Sequence, residues 1–496
     1  MHKSFYNNDG TPFYLTTTLP YINSPLHMGH ALEFVRADTI ARYKKFQGYD
    51  VYFNTGTDEH GLKIFEKAKE RNLTPQEFVD LGFLTFKEQL KMFGVDDDIL
   101  HFVRTTDEKH IKIAQDFWSR VNQNGYIYKK TYEAKYCVGC ESEKTDSELL
   151  NGECIDHQGI PLKIINEENY FFKYSLFGDK LLKFYDENSN FVIPEFRLNE
   201  IKNFVEAGLQ DFSISRLKEK MPWGVPVPGD ETQVMYVWFD ALVNYISTLA
   251  DQNVSNLDEL LNSQNFKKYW IDGTPTQYCG KDNTRFQSAM WQAMLMAANI
   301  PNSHQIVVNG FITGEGGIRM SKTLGNGIDP RVIVDEYGTD ALRYFLLREV
   351  GSFEDSPFTI ERFKDSYNSG LANGLGNLVS RVMTMAVNYE VKLLAEELNM
   401  KYFTKNIQDL ENFDINKFIN WIWECLGALD KYIQTNEPFK KIKINKEEAE
   451  KDVHYLLLHL YKASLAIEPM LPETSLKIQQ LIRENKKPEK PLFLRK

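Results

Sequence analysis

The chain has 496 residues, 42% hydrophobic and 26% charged, with a net charge of −11 at pH 7. That length accommodates two to four domains and more than one sizeable core, in the composition of an ordinary soluble globular protein. The acidic balance excludes a wholesale nucleic-acid coat but leaves room for a local basic path. The opening MHKSFYNNDG has no apolar core of a secretory signal, and the apolar stretch 456–471 is broken by His459, Lys462 and Glu468, so no membrane span is expected. Five cysteines are too few for a disulfide scaffold, and three of them fall within eighteen residues. That clustering points to metal in a reducing compartment, the cytoplasm.

In chain order, residues 13–18 are rich in aromatic and β-branched side chains and are predicted as a strand. Asn23-Ser24-Pro25 then supplies cap chemistry with a proline near a helix start. Met28, Leu32, Val35, Thr39, Tyr43 and Phe46 recur at steps of three and four, and Gly48 closes the segment. Residues 50–54 read as another strand, so strand, helix and strand predict a parallel α/β sheet. From about 126 to 230 the pattern turns irregular and ends in the run MPWGVPVPGD. It reads as an insertion, because strand signals resume at 234–237 and 305–308. After about 366 strand signals largely vanish. Ile415, Phe418, Ile419, Ile422, Leu426, Leu429 and Ile433 trace one helical face, and 453–467 forms another apolar helix, as in a bundle. Solenoid repeats are absent, and the charged tail after Arg483 is expected to be loose.

Three groups of residues carry chemistry. Pro25-Leu26-His27-Met28-Gly29-His30 lies where the first strand gives way to the first helix. Helix-start N–H groups there favour phosphate, two imidazoles can add donors, and Gly29 admits a flat group close to the backbone. Alone, such a motif is equally well a pair of surface or metal-binding histidines. Arg319-Met320-Ser321-Lys322-Thr323, among glycines, could close two cations over a polyphosphate. Alone, it is more often a solvated turn. Cys137-x2-Cys140 and Cys154-x2-His157 offer three thiolates and one imidazole, the donor set of a closed structural zinc site.

H-x-G-H and R-M-S-K-T together resemble the paired signatures of class I aminoacyl-tRNA synthetases. Leu19-Pro20-Tyr21-Ile22-Asn23, Thr55-Gly56-Thr57-Asp58-Glu59-His60-Gly61, Ser213-Ile214-Ser215-Arg216, Val237-Trp238-Phe239-Asp240-Ala241 and Gly280-Lys281-Asp282 resemble the methionyl-tRNA synthetase family within that class. The resemblance runs from about residue 13 to beyond 439. It implies a Rossmann-type parallel-sheet catalytic domain in 1–118 and 231–325, interrupted by a connective insertion with a zinc knuckle in 119–230. A stem-contact region follows in 326–365, an α-helical anticodon-binding bundle in 366–480 and a loose tail in 481–496.

The same resemblance implies a methionine–tRNA ligase that forms methionyl-adenylate from methionine and Mg-ATP, releases pyrophosphate, and charges its tRNA. His27 and His30 would steady the phosphates, with Gly29 and Asp282 in the nucleotide site and Lys322 and Arg319 on the departing pyrophosphate. Leu19, Tyr21, Trp238, Ala241, Leu242, Tyr245, Phe286 and Gln287 would surround methionine. If Asp240 caps a helix, Trp238, Ala241, Leu242 and Tyr245 share a face of its first two turns, where aromatic walls suit a thioether. Asp58 would meet the α-ammonium. Asn377 and Arg381 would read the anticodon, with Phe439 stacking on a base and Lys440, Lys441, Lys443 and Lys446 meeting loop phosphates. One zinc ion, a monomer and no membrane partner complete the expectation.

Several positions depart from the family pattern. Gln287 and Asn309 stand where histidines are usual, Arg319 and Thr323 where lysine and serine are, and Phe439 where tryptophan is. Three other readings compete. The insertion is too short for the editing domain of isoleucyl, valyl or leucyl enzymes. A catalytically silent tRNA-binding paralogue would not need His27, His30 and Lys322. A small-molecule nucleotidyltransferase would leave the helical half without a role.

Overall fold

Buried β-branched and aromatic side chains on both faces of a strand demand a sheet covered on both sides, and Asp50–Thr57 is such a strand, buried along nearly its whole length. The computed structural model describes residues 10–144, 148–318, 327–399 and 407–496. Its contacts group into two units, Met1–Leu26 with Gln47–Leu90 and Asp96–Val308, and His27–Phe46 with Lys91–Val95 and Asn309–Lys496.

The first unit is built on a six-stranded sheet ordered Leu100–Arg104, Asp50–Thr57, Pro12–Thr16, Thr276–Gly280, Gln305–Asn309, Val192–Ile193. Phe13 pairs with Val51, Phe53 with Leu100, and Leu15 with Thr276, all in parallel. From Pro12–Thr16 the chain steps outward through Asp50–Thr57 to Leu100–Arg104. Its later strands start again on the other side of Pro12–Thr16. The junction of Pro12–Thr16 with Thr276–Gly280 is therefore the switch point of a doubly wound sheet, where such folds bind ligands. Helix Glu108–Gln123 buries Phe117 and Trp118 in an aromatic core. Phe117 stacks on Trp291 at 5.8 Å, and Trp118 meets Phe239 edge to face at 5.2 Å.

The irregular stretch of the sequence has a sheet of its own. Ile127–Cys137 pairs antiparallel with Lys163–Phe172 over ten residue pairs, from Ile127 opposite Phe172 to Tyr136 opposite Lys163. The run MPWGVPVPGD supplies the first strand and the turn of a short hairpin in which Pro226 opposes Val234 of strand Asp230–Met235.

In the second unit, Ile415–Asn436 buries all seven residues of the face read from the sequence. The helix expected at 453–467 begins earlier, at Lys446, where the Asn445 side chain accepts the Glu448 N–H at 3.1 Å. Asn377–Asn388, Lys446–Ile467 and Pro472–Glu484 complete the bundle, and no strand occurs after residue 357 among the described residues. Arg343, fully buried, pairs with Asp38 of helix Met28–Phe46 at 2.7 Å and donates to the carbonyls of Phe93, Pro469 and Met470.

The first helix starts at Met28, the first residue of the predicted face, but Asn23-Ser24-Pro25 does not cap it. The Ile22 N–H goes to the Asp58 carbonyl and the Leu26 N–H to Gln89 Oε1, so 22–26 is held by long-range bonds instead of a helical turn.

Candidate active site

At the switch point the chain leaves strand Pro12–Thr16 and pairs Tyr21 with Asp58 in an isolated parallel bridge. Trp238 and Phe286 stack face to face at 4.0 Å, and Tyr21 meets the Trp238 ring edge-on at 6.4 Å. Leu19, Ala241, Leu242 and Tyr245 are buried. Gln287 is fully buried, and its amide donates to the Tyr245 hydroxyl at 2.8 Å and to Thr18 Oγ1 at 3.1 Å. The structure thus brings Tyr21, Trp238 and Phe286 together by ring contacts and Gln287 to Tyr245 by a hydrogen bond, the two sets meeting at the chain neighbours Phe286 and Gln287, while the backbone of Tyr21 bridges Asp58.

Among the described residues, four buried polar atoms of this group lack a hydrogen-bond partner: Tyr21 Oη, Asp58 Oδ1, Trp238 Nε1 and Gln287 Oε1. Buried polar atoms are nearly always paired, so these four are available to a polar ligand or to water. Burial pushes the Asp58 carboxyl well above the usual carboxylate range, and the neighbouring Asp240 adds to the shift.

Asp240 is not a helix cap. It lies inside the short helix Val237–Ala241, whose cap is Tyr236. Its carboxylate is held from both sides, by His60 Nδ1 at 2.6 Å and His110 Nε2 at 2.8 Å, and His110 Nδ1 meets Ser247 Oγ at 2.8 Å. Burial works against this carboxylate, but the two imidazoles outweigh it and keep it below its ordinary range. Two nearby acids are thereby driven apart, Asp240 ionised and satisfied, Asp58 short of a cation. His60, His110 and Asp240 lie far apart in sequence, and no local pattern announces them as a network. Its one signal was an acid inside the apolar run Val237-Trp238-Phe239-Asp240-Ala241.

In the second unit, His27 and His30 stack at 3.7 Å. His27 Nδ1 accepts the N–H groups of Gly29 and His30 at 3.1 and 3.4 Å, and His30 Nδ1 accepts the His27 N–H at 3.3 Å. His27 is therefore the cap of helix Met28–Phe46, and with Nδ1 accepting in both rings the donor nitrogen of each is Nε2. A Cβ on Gly29 would stand 3.0 Å from the His27 ring, so the missing side chain also leaves room for the capping imidazole. Six residues beyond His30, buried Arg36 donates to Asn309 Oδ1 at 2.9 Å and to the carbonyls of Val350, Gly351 and Ser352. Asn309, where the resemblance leads one to expect a histidine, is thus the acceptor for an arginine. Arg319 and Lys322 lie outside the described residues, and Asp282 is exposed on the turn Lys281–Asn283.

Cys137, Cys140, Cys154 and His157 place one donor atom each within 4.8 Å of one another. Cys140 Sγ is 3.5 Å from Cys154 Sγ and 3.1 Å from His157 Nδ1. That is far from a disulfide and near the roughly 3.7 Å separation of thiolates on a tetrahedral zinc. Gly139 makes the set possible, because a Cβ there would stand 2.4 Å from the His157 ring. The donor set fits a metal ion.

Asn377 is exposed at the start of helix Asn377–Asn388, and Phe439 is 44% exposed on helix Pro438–Lys441. Phe439 is therefore not a core residue. Arg381 pairs with Asp430 of helix Ile415–Asn436. Lys440 pairs with Glu437 at 2.6 Å, Lys441 with Asp452 at 2.5 Å, and Lys446 with Glu450 at 3.6 Å, while Lys443 is exposed. The basic run is interleaved with acids.

The model of the family described as tRNA synthetases class I (M) matches residues 13–383. A methionine–tRNA ligase of Caldanaerobacter subterraneus is 39% identical over 94% of this chain and 73% of its own length. One from Thermotoga maritima is 38% identical over 96% and 76%. A solved structure of Mycobacterium tuberculosis methionyl-tRNA synthetase in complex with methionyl-adenylate superimposes with a TM-score of 0.85 at 33% identity, covering 95% of this chain and 94% of that one. The chain belongs to the methionyl-tRNA synthetase family of class I.

Proposed function

We propose that the chain is a methionine–tRNA ligase. The observation that carries this reading is the buried Asp58 oxygen without a partner, next to the stacked Trp238–Phe286 wall. A carboxylate in that position calls for an ammonium, and the aromatic wall calls for an apolar, polarizable side chain. Leu19, Tyr21, Ala241, Leu242, Tyr245 and Gln287 complete the slot. Its polar floor, the Gln287 amide on Tyr245, positions without charge.

Methionine's carboxylate attacks the α-phosphorus of ATP, brought as its Mg2+ complex, and pyrophosphate leaves with the electron pair of the broken P–O bond. This step asks for positioning and charge neutralisation more than for a nucleophilic side chain. His27 and His30, each with Nε2–H as donor, hold phosphate oxygens at the start of a helix, where the dipole adds to them. Lys322 and Arg319 neutralise the departing pyrophosphate, and Asp282 belongs to the nucleotide site. The terminal adenosine 2′-hydroxyl of tRNA then takes the methionyl group, displacing AMP. Cys137, Cys140, Cys154 and His157 hold one zinc ion, which when bound fixes the turns of the insertion and takes no part in the chemistry. Asn377, Arg381 and Phe439 read the anticodon loop. None of the five cysteines is in a disulfide, which suits a reducing compartment, the cytoplasm, and no described helix is long and apolar enough to cross a membrane.

Amino-acid-dependent ATP–pyrophosphate exchange, run over a panel of amino acids, tests the proposal. Exchange with methionine alone supports it. Exchange with another amino acid, or none, refutes it.

A further inference from the structure

The knuckle reaches beyond its four donors. Tyr136 and Glu141 flank the Cys137–Cys140 turn, and the Tyr136 hydroxyl donates to Glu141 Oε2 at 2.5 Å. Glu141 is fully buried and holds a left-handed backbone at φ 51°, a conformation uncommon for a residue with a Cβ. Its other oxygen, Oε1, accepts the Lys63 backbone N–H at 2.7 Å. Lys63 is the second residue of helix Leu62–Glu70, whose cap, Gly61, has no side chain to offer. A carboxylate from the metal turn therefore caps this helix from outside, where both its hydrogen bond and its charge are favourable.

The Lys63 side chain returns the contact. Its Nζ donates to the Gly139 carbonyl inside the C-x2-C turn at 3.3 Å and lies 5.7 Å from the centre of the Tyr21 ring. Tyr21 is the edge-on wall against Trp238, and its backbone bridges Asp58, three residues before Gly61. One carboxylate and one ammonium thus join the metal turn to both the wall and the acid of the amino-acid pocket.

We propose that Glu141 and Lys63 are positioning residues through which the Cys3His knuckle sets the geometry of the amino-acid pocket, so that affinity for methionine, and not for ATP, responds to this link. This rests on the reading of the pocket as the methionine site. The ammonium over the Tyr21 ring orients it by cation–π attraction. The capped helix start fixes the end of the segment 58–61 that carries Asp58.

The test uses the full chain with its metal. Glu141→Ala, Glu141→Gln and Lys63→Met are compared with wild type for metal content, melting temperature, methionine Kd by intrinsic tryptophan fluorescence without ATP or tRNA, and ATP KM in pyrophosphate exchange. Glu141→Ala is expected to keep its metal, keep its ATP KM, and raise the methionine Kd about tenfold, the weight of one charge-assisted hydrogen bond. Glu141→Gln is expected to recover to within about threefold of wild type, since its carbonyl oxygen still accepts the Lys63 N–H. Lys63→Met should move methionine Kd in the same direction, and it carries the test alone if Glu141→Ala does not fold. An unchanged methionine Kd in metal-loaded variants overturns the proposal. So does a parallel rise of ATP KM without rescue by glutamine, which is the mark of a general structural role. A wild type that binds no methionine overturns the pocket reading instead, before any variant is compared.

Discussion

Asp58 and Gln287 decide how the proposed pocket takes its ligand, and each makes a separate prediction. An isolated acid whose pKa is raised by burial must lose its proton before it can meet an ammonium. Methionine affinity is therefore expected to fall as pH drops through that raised value, and a pH profile of kcat/KM for methionine in pyrophosphate exchange will show it. The stability sign follows from the same shift. The native state binds this proton more tightly than the unfolded chain, so the group's contribution is fully present below the ordinary carboxylate pKa. It is lost as pH rises through the raised one. Methionine should accordingly raise the melting temperature more at neutral than at acid pH. Asp58→Asn should flatten the pH profile and weaken methionine activation by about 3–5 kcal/mol, the cost of breaking a buried charged pair. A variant that keeps both activity and pH profile would remove Asp58 from the site. Gln287 makes two donor contacts, to Tyr245 and Thr18, which a neutral imidazole with one N–H cannot reproduce. Gln287→His is expected to keep the preference for methionine and shift its KM by about threefold to tenfold, one modest hydrogen bond. Loss of all activity would mean the pocket is built differently.

Elements were legible in the sequence where periodicity sets them and obscure where long-range bonds do. The face Ile415 to Ile433 is buried to the last residue because a 3.6-residue stripe has only one way to face a core. The cap of the first helix is not at Asn23-Ser24, as the sequence suggested, because Gln89, sixty-three positions away, takes the N–H of Leu26. No local signal announces such a partner. The knuckle's donors were visible from spacing, yet Glu141 beside them was not, since its role is defined by a helix it caps from elsewhere. Gly139 tests the knuckle as an element. Gly139→Ala would drive a methyl group into the His157 ring. It should speed metal release to a chelator and lower the melting temperature, while zinc loss no faster than wild type would show that His157 is not a ligand. Arg343 tests the second unit. Truncating Arg343 leaves the buried Asp38 carboxylate without its guanidinium, keeping the Arg42 contact at 2.8 Å, and strands the carbonyls of Phe93, Pro469 and Met470. Arg343→Leu is expected to destabilise by about 3–5 kcal/mol, read as a drop in the midpoint of denaturant unfolding.

At the scale of the whole molecule, the question is how a chain of net charge −11 holds an RNA polyanion. The fold class could be read from the alternation of the first sixty residues and the loss of strands after 366. The proposed anticodon site could be named only by family resemblance, because Asn377 and Arg381, four apart on one helix face, carry no binding signal of their own and Phe439 lies almost sixty positions further on. The structure adds what sequence lacked. Phe439 is exposed, and the lysines around it are interleaved with Glu437, Glu450 and Asp452. Such interleaving trims the long-range field and leaves short-range contacts, so recognition here should depend on loop shape and stacking as well as charge. Arg381 and Asp430 are each about one-third exposed, and a pair so open to water contributes no more than about 1 kcal/mol to stability. Arg381→Ala should therefore fold normally, and any functional loss belongs to the lost guanidinium. Aminoacylation of tRNA bearing the CAU anticodon is expected to weaken, with the loss in tRNA KM, while tRNA-independent pyrophosphate exchange stays at the wild-type rate. Phe439→Ala should behave alike, at a cost of about 1–3 kcal/mol for one stacked base. Equal losses in both assays would make Arg381 a support of the fold, and no loss in either would place anticodon reading elsewhere on the bundle.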